Sequence, residues 1–331
     1  MINTNYILLL HKQSVFSKTL FLSYFLNFSF TKKKYLIQFE LICQNYNFVL
    51  TLTAQILIDM LLFANAKINI GLHVVSKRDD GYHQIESILY PVGLSDAVEA
   101  MPAKDDKFEF STFGNTIPGC LKDNLCVKAW ELLHKNHHIV PVKMSLMKKI
   151  PIGSGLGGGS SDATFMLKLL NKLFDIRLSN TQLENYSAML GSDCPFFVNN
   201  TPRFVSGRGN KFENIILSLK GYWVAIVQPD LHVSTAEAYS MLTPKTPPFS
   251  LRSLQSLPIE EWRYRVVNDF EEVIGAKHPI ILTIKSNLYS KGAVYASMTG
   301  SGSAVYGLFR QEPEDGMYKE NAFFFWKGRL G

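Results

Sequence analysis

The run Gly153-Ser-Gly-Leu-Gly-Gly-Gly159 constrains this chain more than any other feature, because five of its seven residues are glycine. Glycine reaches positive φ without steric penalty and lets other atoms approach the backbone closely. Ordering so much glycine costs chain entropy that no side-chain packing returns, so an idle surface loop accounts for it poorly. Its neighbours sharpen the reading. Val142 to Lys148 alternates Val, Met, Leu and Met against Lys and Ser, the pattern of a half-buried strand. Ala163 to Phe174 carries apolar residues at helical spacing, so a helix should begin near Ser160. Strand, glycine loop and helix in that order converge amide groups and a positive helix end on phosphate oxygens. Ser160 and Ser161 add hydroxyls for a phosphate or a metal.

Two familiar phosphate loops fit badly. A P-loop needs Gly-Lys-Ser/Thr at its end, and no lysine follows these glycines. The dinucleotide fingerprint is matched literally by Gly153, Gly155 and Gly158, with Asp175 downstream. In that fold, however, the acid ends a second parallel strand, whereas Asp175 closes the helix itself. A Rossmann-type NAD-binding oxidoreductase is therefore a poor second reading.

Elsewhere the pattern is strands interleaved with helices, an α+β class. Leu61 to Phe63 and Lys67 to Val75 read as strand, Asp79-Asp80-Gly81 as a turn, and Tyr82 to Leu94 as strand again. Residues 123–138 fit a helix capped by Asp123, and 179–190 a helix opened by Ser179 or Thr181 with Glu184 as reciprocal partner. Residues 221–228, Val294 to Met298 and Ala304 to Phe309 are strands, the last two flanking Thr299-Gly-Ser-Gly-Ser303. The Pro- and Ser-rich stretch 242–258 suggests a surface excursion.

The net charge is +6, and residues 1–59 hold half of it, with five lysines against Glu40 and Asp59. The mild excess that remains suits an anionic small molecule and is too weak to argue for nucleic acid. Two apolar runs, 20–30 and 48–58, fall short of the roughly 20 residues a membrane-spanning helix needs. The first 59 residues admit three readings: a signal or anchor, a genuine extra segment, or an over-long reading frame. The last is favoured, with Met60 as the true start, because orderly patterning begins at Met60-Leu-Leu-Phe-Ala. Cys43, Cys120, Cys126 and Cys194 show neither disulfide nor zinc spacing, which fits reduced cytoplasmic thiols. Cys194 has no base beside it and reads as a packing residue.

Four blocks together resemble the GHMP kinases, the family of galactokinase, homoserine, mevalonate and phosphomevalonate kinases. They are Ala66-Lys-Ile-Asn69 with Asp80-Gly-Tyr-His83, Pro151 to Asp162, Leu190-Gly-Ser-Asp-Cys-Pro-Phe196, and Thr299 to Ser303. The resemblance covers roughly 61–331. It implies a two-domain α+β fold: a ribosomal-protein-S5-like ATP-binding domain over 60–215 and a ferredoxin-like domain over 216–331. ATP and an alcohol substrate would meet between them.

The resemblance also implies roles. Asp193 would accept the substrate's hydroxyl proton, and Lys67 would pair with it and neutralise charge at the transferred phosphoryl group. Residues 151–161 (Pro151, Ile152, Gly153, Ser154, Gly155, Leu156, Gly157, Gly158, Gly159, Ser160, Ser161) would bind ATP, with Mg²⁺ on Ser160 or Ser161. Pro151 to Asp162 alone gives only the wider family, whereas Asp80-Gly-Tyr-His83 together with Gly191-Ser-Asp-Cys-Pro-Phe196 points to the branch whose substrate carries a cytidyl diphosphate. There Asn69 would bond the polyol, His83 the base edge, and Tyr82 and Tyr239 the two base faces. Thr299, Gly300, Ser301 and Gly302 would brace the cleft and touch substrate phosphate by their amides. A simpler alcohol, such as a sugar or mevalonate, is the alternative substrate.

Overall fold

Leu61–Lys77 forms one long strand, β1, paired antiparallel with His83–Pro102, β2. The structure, a computed structural model, describes residues 60–314 and 323–331. The expectations for residues 1–59 lie outside the described residues. β1 lacks clean alternation because both its faces are covered: Ala66, Ile68 and Ile70 are fully buried, and Lys67 and Asn69 opposite them are nearly so. Each buried isoleucine contributes about 1.5–3 kcal/mol before chain entropy is set against it. The break expected after Phe63 is a bulge at Asn65/Ala66, followed by further register shifts at Ile70/Leu72 and Val74/Ser76. Such bulges bend a strand and re-aim its side chains. Gly71 sits in the second shift with φ +68°, and a Cβ there would press on Leu251 at 2.7 Å.

Four more strands complete the first sheet: β3 (Glu109–Gly114), β4 (Val142–Lys148), β5 (Arg203–Ser206) and β6 (Lys211–Asn214). Their order is β3-β4-β2-β5-β6, with β1 on β2. The parallel pair β3–β4 is bridged by a helix, α1 (Leu125–His137), as a parallel connection requires. After β4 come α2 (Gly158–Leu173), α3 (Asn180–Ala188) and the single turn α4 (Phe196–Asn199). Val98, Leu133, Met144, Met166 and Leu170 form the core between sheet and helices.

The second sheet has the order β10-β7-β9-β8, from Phe324–Arg329, Trp223–Gln228, Val305–Phe309 and Tyr295–Met298. Helices α5 (Thr235–Ser240), α6 (Ile259–Arg265), α7 (Phe270–Lys277) and α8 (Ile280–Ser290) accompany it. A further core joins the two sheets, with Ile68, Ile70 and Tyr90 packed with Val224 and Tyr306. The Tyr306 hydroxyl donates to the Asn69 carbonyl at 2.8 Å, so the second sheet is tied to β1 beside Lys67.

Three local expectations are corrected. The cap of α1 is Asn124, whose side chain accepts from Cys126 N, while Asp123 closes a short 3₁₀ turn. The reciprocal partner of Ser179 is Gln182, because a capping box needs a spacing of three. Glu184 instead accepts from Asn199 Nδ2 at 2.5 Å. The stretch 242–258 is no mere surface excursion, since Leu251 and Leu254 are fully buried.

Candidate active site

A cavity of about 940 Å³ opens where β1, the glycine loop, the turn after α3 and the 299–303 turn converge. The glycine loop is clamped from two sides. Thr299 Oγ1 donates to the Gly155 carbonyl at 3.1 Å, and Ala304 N donates to the Ser154 carbonyl at 3.2 Å. Gly153, Gly155 and Gly157 all have positive φ. A Cβ at Gly155 would collide with the Thr299 carbonyl, and one at Gly157 would lie 3.0 Å from Lys67 Cε. A Cβ at Gly159 would meet nothing, so this residue borders open space at the start of α2. With α2 beginning there, its unpaired amides and positive end suit a polyphosphate.

Of the loop residues expected to bind ATP, Pro151 to Gly155 and Gly157 to Ser160 line the cavity. Leu156 and Ser161 do not. Leu156 is buried among apolar residues, because a lone apolar side chain in a glycine loop is expelled toward the core. The Ser161 hydroxyl points the other way, donating to the Asn65 carbonyl at 2.7 Å.

Lys67 and Asp193 meet on the cavity wall, with Lys67 Nζ 3.5 Å from Asp193 Oδ2. The Lys67 side chain is 4% exposed and that of Asp193 37%, so the amine is walled in while the carboxylate remains accessible. Asp193 lies in the turn between α3 and α4, which is pinned to α2 by a 2.8 Å bond from Thr164 Oγ1 to the Cys194 carbonyl. Cys194 is indeed a packing residue, and burial pushes its thiol up to about 11.

Asn69 lines the cavity beside Lys67. Its Oδ1 accepts from Lys67 Nζ at 2.6 Å and its Nδ2 donates to Ser87 Oγ at 2.8 Å. At 4% exposure and with both ends engaged, it orients Lys67. Thr299 is likewise consumed inside the protein. It is fully buried, accepts from Asn69 N at 3.0 Å and donates toward Asn69 Oδ1 at 3.2 Å. Gly300 and Ser301 line the cavity, whereas Thr299 and Gly302 do not.

At the other end stand the aromatic residues. His83 stacks on Tyr239 with ring centroids 4.7 Å apart and planes 20° apart. The Tyr239 face expected to receive a base is therefore covered by His83. Tyr239 is braced edge-on by Phe270, and burial, with the Asp193 charge second, pushes its hydroxyl up to about 12. Tyr82 is 55% exposed and lines the cavity, with the Arg208 guanidinium over its ring.

Sequence reasoning missed several cavity residues. Residues 117–121 and 123–125, before and at the start of α1, form a wall. Lys148, read only as the end of a half-buried strand, is buried and donates to Asp96 Oδ2 and, at 2.8 Å, to Asp162 Oδ2. Asp96 Oδ1 accepts in turn from the amides of Lys149 and Ile150. Burial pushes the Asp162 carboxyl well above the usual range, and its Oδ1 has no hydrogen-bond partner. Arg208, in the β5–β6 turn, also faces the cavity. No local pattern marks Lys148 or Arg208, which strand pairing brings in from a distance.

Magnesium rarely sits in an all-protein cage and usually takes one or two side chains plus nucleotide oxygens. No group of three His, Cys, Asp or Glu suited to a metal occurs among the described residues. Ser160 and the accessible Asp193 carboxylate border the glycine loop and fit that sparse pattern, while Ser161 is committed elsewhere.

Comparison with known proteins agrees with this architecture. The family described as GHMP kinases N terminal domain matches residues 124–200, and that described as GHMP kinases C terminal matches 258–325. The 4-diphosphocytidyl-2-C-methyl-D-erythritol kinase of Bacteroides thetaiotaomicron is 51% identical over 276 residues, spanning 82% of this chain and all of that protein. Its counterpart from Parabacteroides distasonis is 47% identical over 275 residues, again 82% of this chain and all of the relative. Among solved structures, a 4-(cytidine 5'-diphospho)-2C-methyl-D-erythritol kinase superposes with TM-score 0.70 at 27% identity, covering 82% of this chain and 99% of the other. The mevalonate kinase of Methanococcus jannaschii superposes with TM-score 0.62 at 16% identity, covering 82% and 98%, a likeness of fold. The Rossmann alternative is thereby overturned: the chain is an α+β protein of the GHMP kinase family and belongs, within it, to the 4-diphosphocytidyl-2-C-methyl-D-erythritol kinases.

Proposed function

We propose that this chain transfers the γ-phosphoryl group of ATP to the 2-hydroxyl of 4-diphosphocytidyl-2-C-methyl-D-erythritol, releasing ADP, in the non-mevalonate route to isoprenoid precursors. The observation that carries the reading is the Lys67–Asp193 pair on the wall of the cavity that the glycine loop also lines. The substrate assignment is supported by relatives of that name, about half identical to this chain along their whole length.

In this reading the Asp193 carboxylate takes the proton of the attacking hydroxyl. The alkoxide oxygen forms its bond to the γ-phosphorus as the bond from phosphorus to the β,γ-bridging oxygen breaks. Lys67, held by Asn69, faces the charge on the transferred group. The loop amides and the start of α2 hold the polyphosphate, so the chain's task is positioning and electrostatics. Magnesium, when bound beside Ser160 and Asp193, supplies charge neutralisation on nucleotide oxygens. Tyr82, His83 and Tyr239 form the cytosine site, with His83 turning off Tyr239 to admit the base. The segments 60–215 and 216–331 act as the two domains of the cleft. The described cysteines Cys120, Cys126 and Cys194 are free thiols, which suits a cytoplasmic enzyme. No helix among the described residues is long and apolar enough to cross a membrane.

A coupled ADP-release assay with the cytidyl substrate beside mevalonate and galactose tests the proposal. Turnover confined to the cytidyl compound and competed by CDP supports it; faster turnover of either simpler alcohol would replace it.

A further inference from the structure

A substrate bearing a diphosphate brings several negative charges into a cavity that already receives a triphosphate and contains Asp193. The cavity must supply cations for both. Its lining includes Lys67, Lys148 and Arg208. Lys67 is committed to Asp193 and Asn69, and Lys148 to Asp96 and Asp162. Arg208 is different. Its guanidinium forms no ion pair among the described residues, and its contact is with the Tyr82 ring, 5.1 Å from the centroid. The neighbouring acid, Asp80, is bound by Arg78 in a forked pair, and the Arg208 charge acts on it only more weakly and without contact.

The chain holds this free cation in place. Arg208 lies between Gly207 (φ +71°) and Gly209 (φ +91°) in the tight β5–β6 turn. Ile85 N donates to the Gly207 carbonyl at 2.8 Å, and Arg208 N donates to Asn210 Oδ1 at 3.2 Å, fixing the turn against β2 next to His83 and Tyr82. Stacking on Tyr82 restrains the long side chain at little further cost in entropy. A planar fork of N–H donors matches a diphosphate's paired oxygens better than a single ammonium.

We infer that Arg208 grips the diphosphate of the cytidyl substrate and is a specificity-determining residue of this kinase. The inference rests on the substrate class proposed above. Tyr82 and His83 would hold the base, Asp193 the reacting hydroxyl, and Arg208 the charged link between them.

The test is steady-state kinetics of Arg208→Ala and Arg208→Lys with the cytidyl substrate, together with competition by CDP and by cytidine, which lacks phosphate. Arg208 is exposed at a turn, so both variants should fold, and thermal melting checks this. Arg208→Ala should raise KM for the cytidyl substrate about ten- to a hundredfold, the scale of one charge-assisted contact. It should leave kcat and KM for ATP within about twofold. CDP inhibition should weaken by the same factor while cytidine inhibition holds, and Arg208→Lys should restore part of the loss. An unchanged KM, or equal loss of CDP and cytidine, would overturn the inference while the active wild type preserves the function proposed. A wild-type enzyme that neither phosphorylates the cytidyl substrate nor responds to CDP would overturn both.

Discussion

Lys67 Nζ lies 3.5 Å from Asp193 Oδ2, joining the first strand of the chain to the turn that follows α3. The amine is buried and also bonded to Asn69 Oδ1, while the carboxylate opens to the cavity. The pair is thus asymmetric: one member is a fixed charge and the other an accessible proton acceptor. A surface ion pair serving stability alone would show both partners exposed.

Asp193→Asn should lower turnover about 10²–10⁴-fold, because an amide cannot accept the hydroxyl proton. Affinity for a non-hydrolysable ATP analogue should stay within about threefold, since the glycine loop is untouched. Single-turnover kinetics with equilibrium binding would separate the two. Equal loss of binding and turnover would remove Asp193 from the base role.

Lys67→Met should lower kcat by about 10²-fold or more through loss of a preorganised charge. Lys67→Arg should not restore it. The arm passes close beneath Gly157, where even an added methyl would lie 3.0 Å from Lys67 Cε, leaving no space for a planar fork. Full rescue by arginine would contradict that geometry.

Two glycines of one loop should respond differently. Gly155→Ala puts a methyl into the Thr299 carbonyl at φ +78°, which should cost about 1–3 kcal/mol from the backbone conformation alone and lower the melting temperature by several degrees. Gly159→Ala meets no neighbour, so the apoprotein should melt close to wild type while nucleotide affinity falls. Differential scanning fluorimetry with and without ATP reads both effects. A Gly159→Ala protein with normal ATP affinity would place the phosphates elsewhere.

The Lys148–Asp96–Asp162 cluster predicts a pH dependence. Burial raises the Asp162 carboxyl above its unfolded value of about 3.9, so the folded state holds the proton more tightly. That contribution to stability is complete below the unfolded value and declines as pH rises through the folded one. Asp162→Asn, neutral at every pH, should flatten the fall in melting temperature above about pH 4 and melt no lower than wild type at pH 8. Urea unfolding across pH checks it; a steeper decline in the variant would refute the assignment.

What the sequence determined by itself was local and chemical. A strand before the glycine run and a helix after it follow from periodicity, and the run's purpose follows from what glycine backbone can do. Positive φ at Gly153, Gly155 and Gly157 is the realised form of that reasoning. Lys67 and Asp193 could be named because they stand in short, continuous motifs that carry the family resemblance. Tertiary structure alone decided which atoms were left available. Asn69 and Thr299, both expected to touch substrate, each spend polar atoms on the other and on Lys67 or Gly155. His83 covers the Tyr239 face that a base was expected to take. Lys148 and Arg208 enter the cavity only through pairing of β4 with β2 and of β5 with β2. The physical reason is that a hydrogen bond or charge is consumed by whichever partner the fold brings within about 3 Å, and a one-dimensional pattern does not contain that distance.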